Sequence, residues 1–295
     1  MTPTRFHPVA EGVLWSSPDP QLDRPLLGLV WGRDATLAVD AGASPAHASW
    51  LLEEISARGL PPLRYVVYTH AHWDHIFGAS ELVERAGAEV VAHRMTAERV
   101  KALAALAWDD ASLQERVERG EEHAFCAEYL RKELPDRTHL RLVLPHRIFD
   151  GPTALDLGGV TVELEHVGGD HAPESTLVYV VEREVLFAGD ALYPTLGAST
   201  RLTHDILQRL LERVFEKPAQ HLLLSHDDRV MSRAEAEGLA AFSQLVGTLA
   251  ADPSNDVATA VVRAREALGE DLPADDVAQL FATFRGMGPP SSTTA

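Results

Sequence analysis

Between Leu63 and Gly78 the chain runs without a break from LRYVVY into THAHWDHIFG. The first stretch is short, β-branched and aromatic, so it reads as a buried strand. The second carries His70, His72, Asp74 and His75 in the pattern His-x-His-x-Asp-His. Imidazole and carboxylate are the donors that hold zinc and similar borderline ions. A strand would send alternate side chains to opposite faces, whereas a loop just past its end can turn several into one cleft. The chain must therefore fold so that a buried strand delivers its end to a polar site. Four donors so close in sequence crowd a single tetrahedral ion, and a second ion with ligands from elsewhere is expected.

Three later segments offer those ligands. GGDHAPES at 168–175 holds His171, FAGDAL at 187–192 holds Asp190, and LSHDDR at 224–229 holds His226. Each lies on a turn beside a strand, and strand ends are where α/β folds build sites.

The rest of the chain supplies the layers. Val13–Trp15, Leu26–Trp31 and Thr36–Val39 read as short strands. Ser44-Pro45 opens a helix that Gly59 closes. A helix near Ala79–Arg85 and a strand at Glu89–Ala92 follow, an alternation that argues for α/β layering. Residues 96–140 are rich in Ala, Leu, Glu and Arg and read as two or three inserted helices, either a lid over a cleft or peripheral packing. Strands resume at Thr161–Leu164, Thr176–Val181 and Glu184–Ala188, then a helix at His204–Phe215 and a strand at Gln220–Leu224. From Ser232 to Arg285 the pattern is helical, broken at Asp252-Pro253 and Leu272-Pro273. The expected organisation is a catalytic domain over 1–231, a helical extension over 232–285, and a tail over 286–295 composed like a disordered end.

Charge narrows the partners. With 26 Lys and Arg against 44 Asp and Glu, the 295 residues carry a net charge of −18, which opposes general binding to nucleic acid or anionic membrane. A small-molecule substrate is expected instead, and a dimer is compatible with the sequence. The single Cys126 forms no internal disulfide and no Cys-x-x-Cys knuckle. Residues 1–20 lack a secretory pattern, and no run reaches the ~20 apolar residues of a membrane span, so a cytoplasmic location is expected. Neither a Gly-x-Ser-x-Gly elbow, a Walker A loop nor a Gly-x-Gly-x-x-Gly fingerprint occurs.

On these motifs the sequence resembles the metallo-β-lactamase-fold hydrolase superfamily over roughly residues 10–230. The resemblance implies an αββα sandwich with two divalent ions at one edge of the facing sheets, zinc foremost, manganese and iron being accepted by the same donors. His70, His72 and His171 resemble the ligands of the first ion. Asp74, His75 and His226 resemble those of the second, and Asp190 the carboxylate bridging both. Asp40, ending TLAVD, resembles the early Asp that orients a ligand His. The implied chemistry is attack by a hydroxide shared between the ions, with Asp74 handling the proton.

The bridging Asp190 resembles that of lactonases, glyoxalase II type thioesterases and tRNA-processing nucleases. True β-lactamases usually lack it, and the charge disfavours a nuclease. Tyr193 sits where N-acyl homoserine lactone lactonases place a Tyr that can steady an oxyanion. The expected activity is hydrolysis of a small ester, lactone or thioester. The alternatives are an iron-dependent redox enzyme of the persulfide-dioxygenase kind, a β-lactamase or phosphodiesterase, and a non-catalytic metal-stabilised protein. Trp73 is expected in or beside the cleft, while Trp108, Phe125 and Tyr129 either line a pocket or pack the inserted helices. His7, His47, His93, His123, His139, His146, His166, His204 and His221 match no ligand motif.

Overall fold

The computed structural model describes residues 5–196 and 200–286. Its centre is a pair of stacked sheets. The first contains, in spatial and chain order, β1 (Phe6–Ala10), β2 (Val13–Ser16), β3 (Gly28–Trp31), β4 (Thr36–Val39), β5 (Leu63–Val67), β6 (Glu89–His93) and β7 (Arg147–Phe149). The second comprises β8 (Thr153–Asp156), β9 (Thr161–His166), β10 (Thr176–Val180), β11 (Val185–Phe187), β12 (His221–Leu223) and β13 (Met231–Ser232), ordered β13-β12-β11-β10-β9-β8. β4, β5, β6 and β7 pair in parallel, as do β11 and β12, and the remaining pairs are antiparallel.

The two-residue period of a strand decides which side chain enters which layer. Val30, Leu37, Val39, Tyr65 and Val67 point between the sheets, where they meet Val162, Leu164, Val178 and Phe187. Their neighbours Leu29, Ala38 and Val66 point outward under the helices α1 (Pro45–Arg58) and α3 (Ala79–Ala86). On the other side Leu177, Tyr179 and Leu186 pack beneath Val214 of α7 (His204–Glu216) and Ala236 of α8 (Arg233–Ala251). The result is four layers, helix–sheet–sheet–helix, with strands buried on both faces and correspondingly apolar throughout. Gly28 permits the close approach of the sheets, since a Cβ there would meet the Phe187 ring at 2.7 Å.

Helix α1 begins and ends as its caps dictate. Ser44 Oγ accepts the His47 amide hydrogen, Pro45 occupies the first turn, and Gly59 takes the left-handed conformation at φ 63°. The segment 96–140 contains most of α4 (Arg94–Ala104) together with α5 (Asp110–Glu118) and α6 (Ala124–Glu133). After α8 come α9 (Val257–Leu268) and α10 (Ala274–Phe284), packed on α8 around Val246, Ala260, Val277 and Phe281. No described helix is long and apolar enough to cross a membrane. From Met287 onward the tail lies outside the described residues.

The strands absent from the sequence reading are β1, β7, β8 and β13. They are edge or near-edge elements of two to five residues, and several carry exposed positions. Their register comes from the neighbouring strand rather than from a local apolar run.

Candidate metal centre

The strand β5 ends at Val67, and Tyr68 continues its pairing by donating its amide hydrogen to Val91 O. The chain then turns through Thr69 into the one-turn helix α2 (Trp73–Ile76). His72 caps that helix without using its ring on the backbone, which leaves the imidazole facing the cleft. Thr69 joins the two sheets at this edge, its carbonyl accepting from Thr176 N at 2.8 Å. A second tie between the sheets runs from Leu26 N to Ser225 O at 2.7 Å. Asp190 follows β11 through Gly189, whose φ is 56° and whose missing Cβ would lie 2.9 Å from Thr69 Oγ1. Only glycine admits both that backbone and that proximity.

All seven expected ligands converge. His70, His72, His171 and Asp190 form one group, and Asp74, His75, Asp190 and His226 a second, with the donor atoms of each group within 4.8 Å of one another. Asp190 belongs to both. Its Oδ2 lies 3.2 Å from His171 Nε2, 3.4 Å from His75 Nε2, 3.5 Å from His226 Nε2 and 3.7 Å from His70 Nε2. Asp74 Oδ2 is 3.2 Å from His75 Nε2 and 3.3 Å from His226 Nε2.

The histidines are aimed from behind. His75 Nδ1 donates to Asp40 Oδ2 at 2.8 Å. The Thr69 hydroxyl also donates to Asp40 Oδ2, and its oxygen lies 3.1 Å from His70 Nδ1, placed to accept that proton. His171 Nδ1 donates to Pro194 O at 2.9 Å. With Nδ1 thus protonated, Nε2 of all three rings presents a lone pair to the cleft. Asp40 therefore touches His75 directly and His70 through Thr69.

The donor set suits a divalent cation. His70 Nε2, His75 Nε2 and Asp190 Oδ1 are buried without a hydrogen-bond partner. Such orphans are costly unless a ligand satisfies them. Burial disfavours charge on His226, yet the Asp190 and Asp74 carboxylates overcome it and push its pKa up to about 10. His75 rises for the same reason against the same burial. Burial favours the neutral forms of Asp74 and Asp190, but His75 and His226 hold both carboxyls well below the usual range. Desolvation, aided by His171, lowers His72 to about 4. The cleft is thus a buried anionic focus that draws protons onto His75 and His226, while burial keeps His70 and His72 neutral.

A cavity of about 790 Å³ opens over these residues. Helices α4, α5 and α6 form one wall through Leu103, Val117 and Phe125, joined by Trp108 from the connection between α4 and α5. Trp73 lines the cavity as well, while Tyr129 packs on Phe125 with ring centres 4.4 Å apart. Tyr193 also lines it, and its hydroxyl donates to Asp227 Oδ1 at 3.0 Å and accepts from His226 N at 3.1 Å. His166 lies outside both donor groups, stacked on His93 with centres 4.0 Å apart.

An acidic residue beside the donors escaped the sequence reading. Asp23 Oδ1 lies 3.7 Å from His226 Nδ1, and burial together with Asp74 raises its pKa to about 7. It stands alone in a proline-flanked turn at φ 54°, and only the left-handed backbone of a non-glycine residue marks it.

Comparison with known proteins agrees with the fold. Residues 25–226 match the family model described as Metallo-beta-lactamase superfamily. Among solved structures, a metallo-beta-lactamase from Pontibacter korlensis superposes with a TM-score of 0.56 at 19% identity, covering 81% of this chain and 97% of that one. A metallo-beta-lactamase family protein from Thermus thermophilus gives 0.56 at 22% identity over 83% of each chain. A stereoselective inverting sec-alkylsulfatase from Pseudomonas sp. gives 0.62 at 16% identity, covering 84% of this chain and 42% of that chain. At such identities the likeness is one of fold.

Proposed function

The chain belongs to the metallo-beta-lactamase superfamily, and from that premise we propose that it is a dinuclear metal-dependent hydrolase of a small ester, lactone or thioester. The observation that carries this reading is the position of Asp190, one carboxylate common to two groups of donors. His70, His72 and His171 would hold one ion and Asp74, His75 and His226 the other, with zinc the first candidate. Divalent ions so placed supply Lewis acidity toward a substrate oxygen and lower the pKa of water toward neutrality.

The protein's own groups do the rest. Asp40 and Thr69 fix the His75 and His70 rings, so the donors need no reorganisation when substrate arrives. The close contacts of Asp74 with the histidines fall on Oδ2, and we assign to Oδ1 the transfer of the proton to the leaving group. The wall from α4–α6 offers apolar surface beside the polar focus. The overall charge of −18 favours neutral substrates over phosphodiesters.

The test is metal analysis of protein purified without added ions, followed by a panel of lactone, thioester, ester, phosphodiester, β-lactam and sec-alkyl sulfate substrates. The expected result is close to two zinc ions per chain, with turnover of the carboxylic substrates that a chelator abolishes. Asp190→Ala should lose turnover while keeping its circular dichroism spectrum. A preparation with an iron absorption band and oxygen consumption would move the assignment to redox chemistry. Turnover confined to sulfate, phosphate or β-lactam substrates would overturn the carboxylic specificity.

A further inference from the structure

Beside the first cavity lies a second, of about 360 Å³, set between α7, α8 and α10. Its walls are mostly apolar: Leu202, Leu207, Leu211, Phe242 and Leu280 supply much of the surface, with Ser243, Asp276, Gln279 and Thr283 along one side. The amphipathic stripe of α7 turns Leu207, Leu211 and Val214 toward it. A strap of chain separates this space from the first. Leu192 faces the second cavity, Tyr193 and Pro194 line both, and Thr195 and Leu196 face the first. Among the described residues, Asp227 is also common to the two.

That partition is also the support of the ligand loops. Pro194 O holds His171 Nδ1, and the Tyr193 hydroxyl joins Asp227 to the amide of His226. The Tyr193 ring centre is 6.1 Å from those of both His171 and His226. A molecule whose polar end lay among the histidines would therefore need to extend past one aromatic ring to reach the apolar space. An aliphatic cavity gives water few partners and is filled favourably by hydrocarbon.

We propose that the second cavity receives an unbranched alkyl or acyl chain of the substrate, whose hydrolysable head lies at the metal centre. The inference deepens the hydrolase reading above and rests on it for the identity of the head group. The chain enters along the Tyr193–Pro194 strap, and the leucines of α7 and α8 surround its distal methylenes. Substrate choice is then set by chain length, through leucines of α7 and α8 that line only the second cavity.

Two cavity-filling variants on α8 test this. Leu239→Trp alters a residue 41% exposed at the cavity's edge, where the fold tolerates bulk. Ala240→Trp fills the cavity from a half-buried position of the same helix. Two readouts are taken on the metal-loaded protein: kcat/KM on p-nitrophenyl esters from butanoate to decanoate, and calorimetric titration with 1-octanol. For the wild type, kcat/KM should rise by about fourfold per added methylene until the cavity is full, and octanol should bind. Both variants should match the wild type on butanoate, lose the rise with length, and lose octanol binding. An equal rise in wild type and folded variants, or no octanol binding to the wild type, overturns the proposal. If no ester is cleaved at all, the hydrolase reading fails, and octanol binding that both variants abolish still supports the alkyl site.

Discussion

Asp40 Oδ2 accepts the Nδ1 proton of His75 at 2.8 Å while Asp40 itself sits at a backbone φ of 62°. The same oxygen accepts from Thr69 Oγ1, and Oδ1 takes the Thr69 amide hydrogen at 2.8 Å. One carboxylate thus anchors the start of the donor loop and aims its last histidine. Asparagine tolerates a left-handed backbone, so Asp40→Asn retains the turn while removing the charge and one acceptor oxygen. Loss of such an outer partner typically weakens metal binding or activity by about 10- to 100-fold. We expect that loss in zinc affinity, read by competition with a chromophoric chelator, with little change in far-ultraviolet circular dichroism. Unaltered affinity would remove Asp40 from the site.

Metal removal should be visible as lost stability. His70 Nε2, His75 Nε2 and Asp190 Oδ1 have no partner in the folded protein, so an ion binds the native chain far better than the unfolded one. A ligand at a hundred times its Kd adds about 2.7 kcal/mol, and for a chain of this size each kcal/mol moves Tm by about 2–4 °C. Treatment with a chelator should therefore lower Tm by about 5–10 °C for each site emptied, measured by scanning calorimetry. An identical Tm before and after stripping would contradict the fit of the donor set to a cation.

Local signals were legible and long-range ones were not. Ser44-Pro45 and Gly59 delimit α1 because caps act within a turn of the helix end. His70, His72, Asp74 and His75 announce themselves because they are close in sequence, and His171, Asp190 and His226 because each follows or precedes an apolar run. Asp23 carries no such pattern. It reaches His226 because Leu26 N bonds Ser225 O across the sheet edge, a pairing that no periodicity encodes. The helices of 96–140 were readable as helices, yet what they cover follows from where α4 leaves β6. The second cavity draws its walls from Leu192 to Thr283, and each of those leucines reads in isolation as ordinary core.

Acid sensitivity should trace in part to His47. The ring is fully buried, and its Nδ1 accepts the Ala43 amide hydrogen at 3.3 Å. Burial, with the Arg24 charge adding to it, drives the pKa down to about 3. The unfolded chain therefore binds a proton below its ordinary value of about 6.5 that the folded chain refuses until about 3. Stability is complete above the unfolded value and falls with pH across that window, by up to about 1.4 kcal/mol per pH unit from this group. His47→Asn can keep an acceptor toward Ala43 and abolishes the titration. Its urea midpoint should decline less steeply than that of the wild type from about pH 6 to about pH 4. Parallel curves would place the acid sensitivity elsewhere.

Tyr193 has one hydroxyl proton, and it already points to Asp227 Oδ1. Burial raises the phenol's pKa, and Asp190 and Asp227 push it the same way, so the group stays neutral throughout the working range. While that proton binds Asp227 it is not available to a substrate oxygen, and the hydroxyl oxygen is engaged by His226 N. Holding the His226 loop and steadying an oxyanion therefore make different demands on the same group. If it holds the loop, Tyr193→Phe forfeits a hydrogen-bond pair worth about 0.5–1.5 kcal/mol per bond and leaves His226 less firmly placed. If it donates in the transition state, the same change lowers kcat by about 100- to 1,000-fold with both ions still bound. The observed contacts favour the first: zinc content after dialysis should drop, while kcat at saturating zinc stays within about tenfold of the wild type. A hundredfold fall in kcat at full metal occupancy would show that the hydroxyl leaves Asp227 during turnover and acts on the substrate directly.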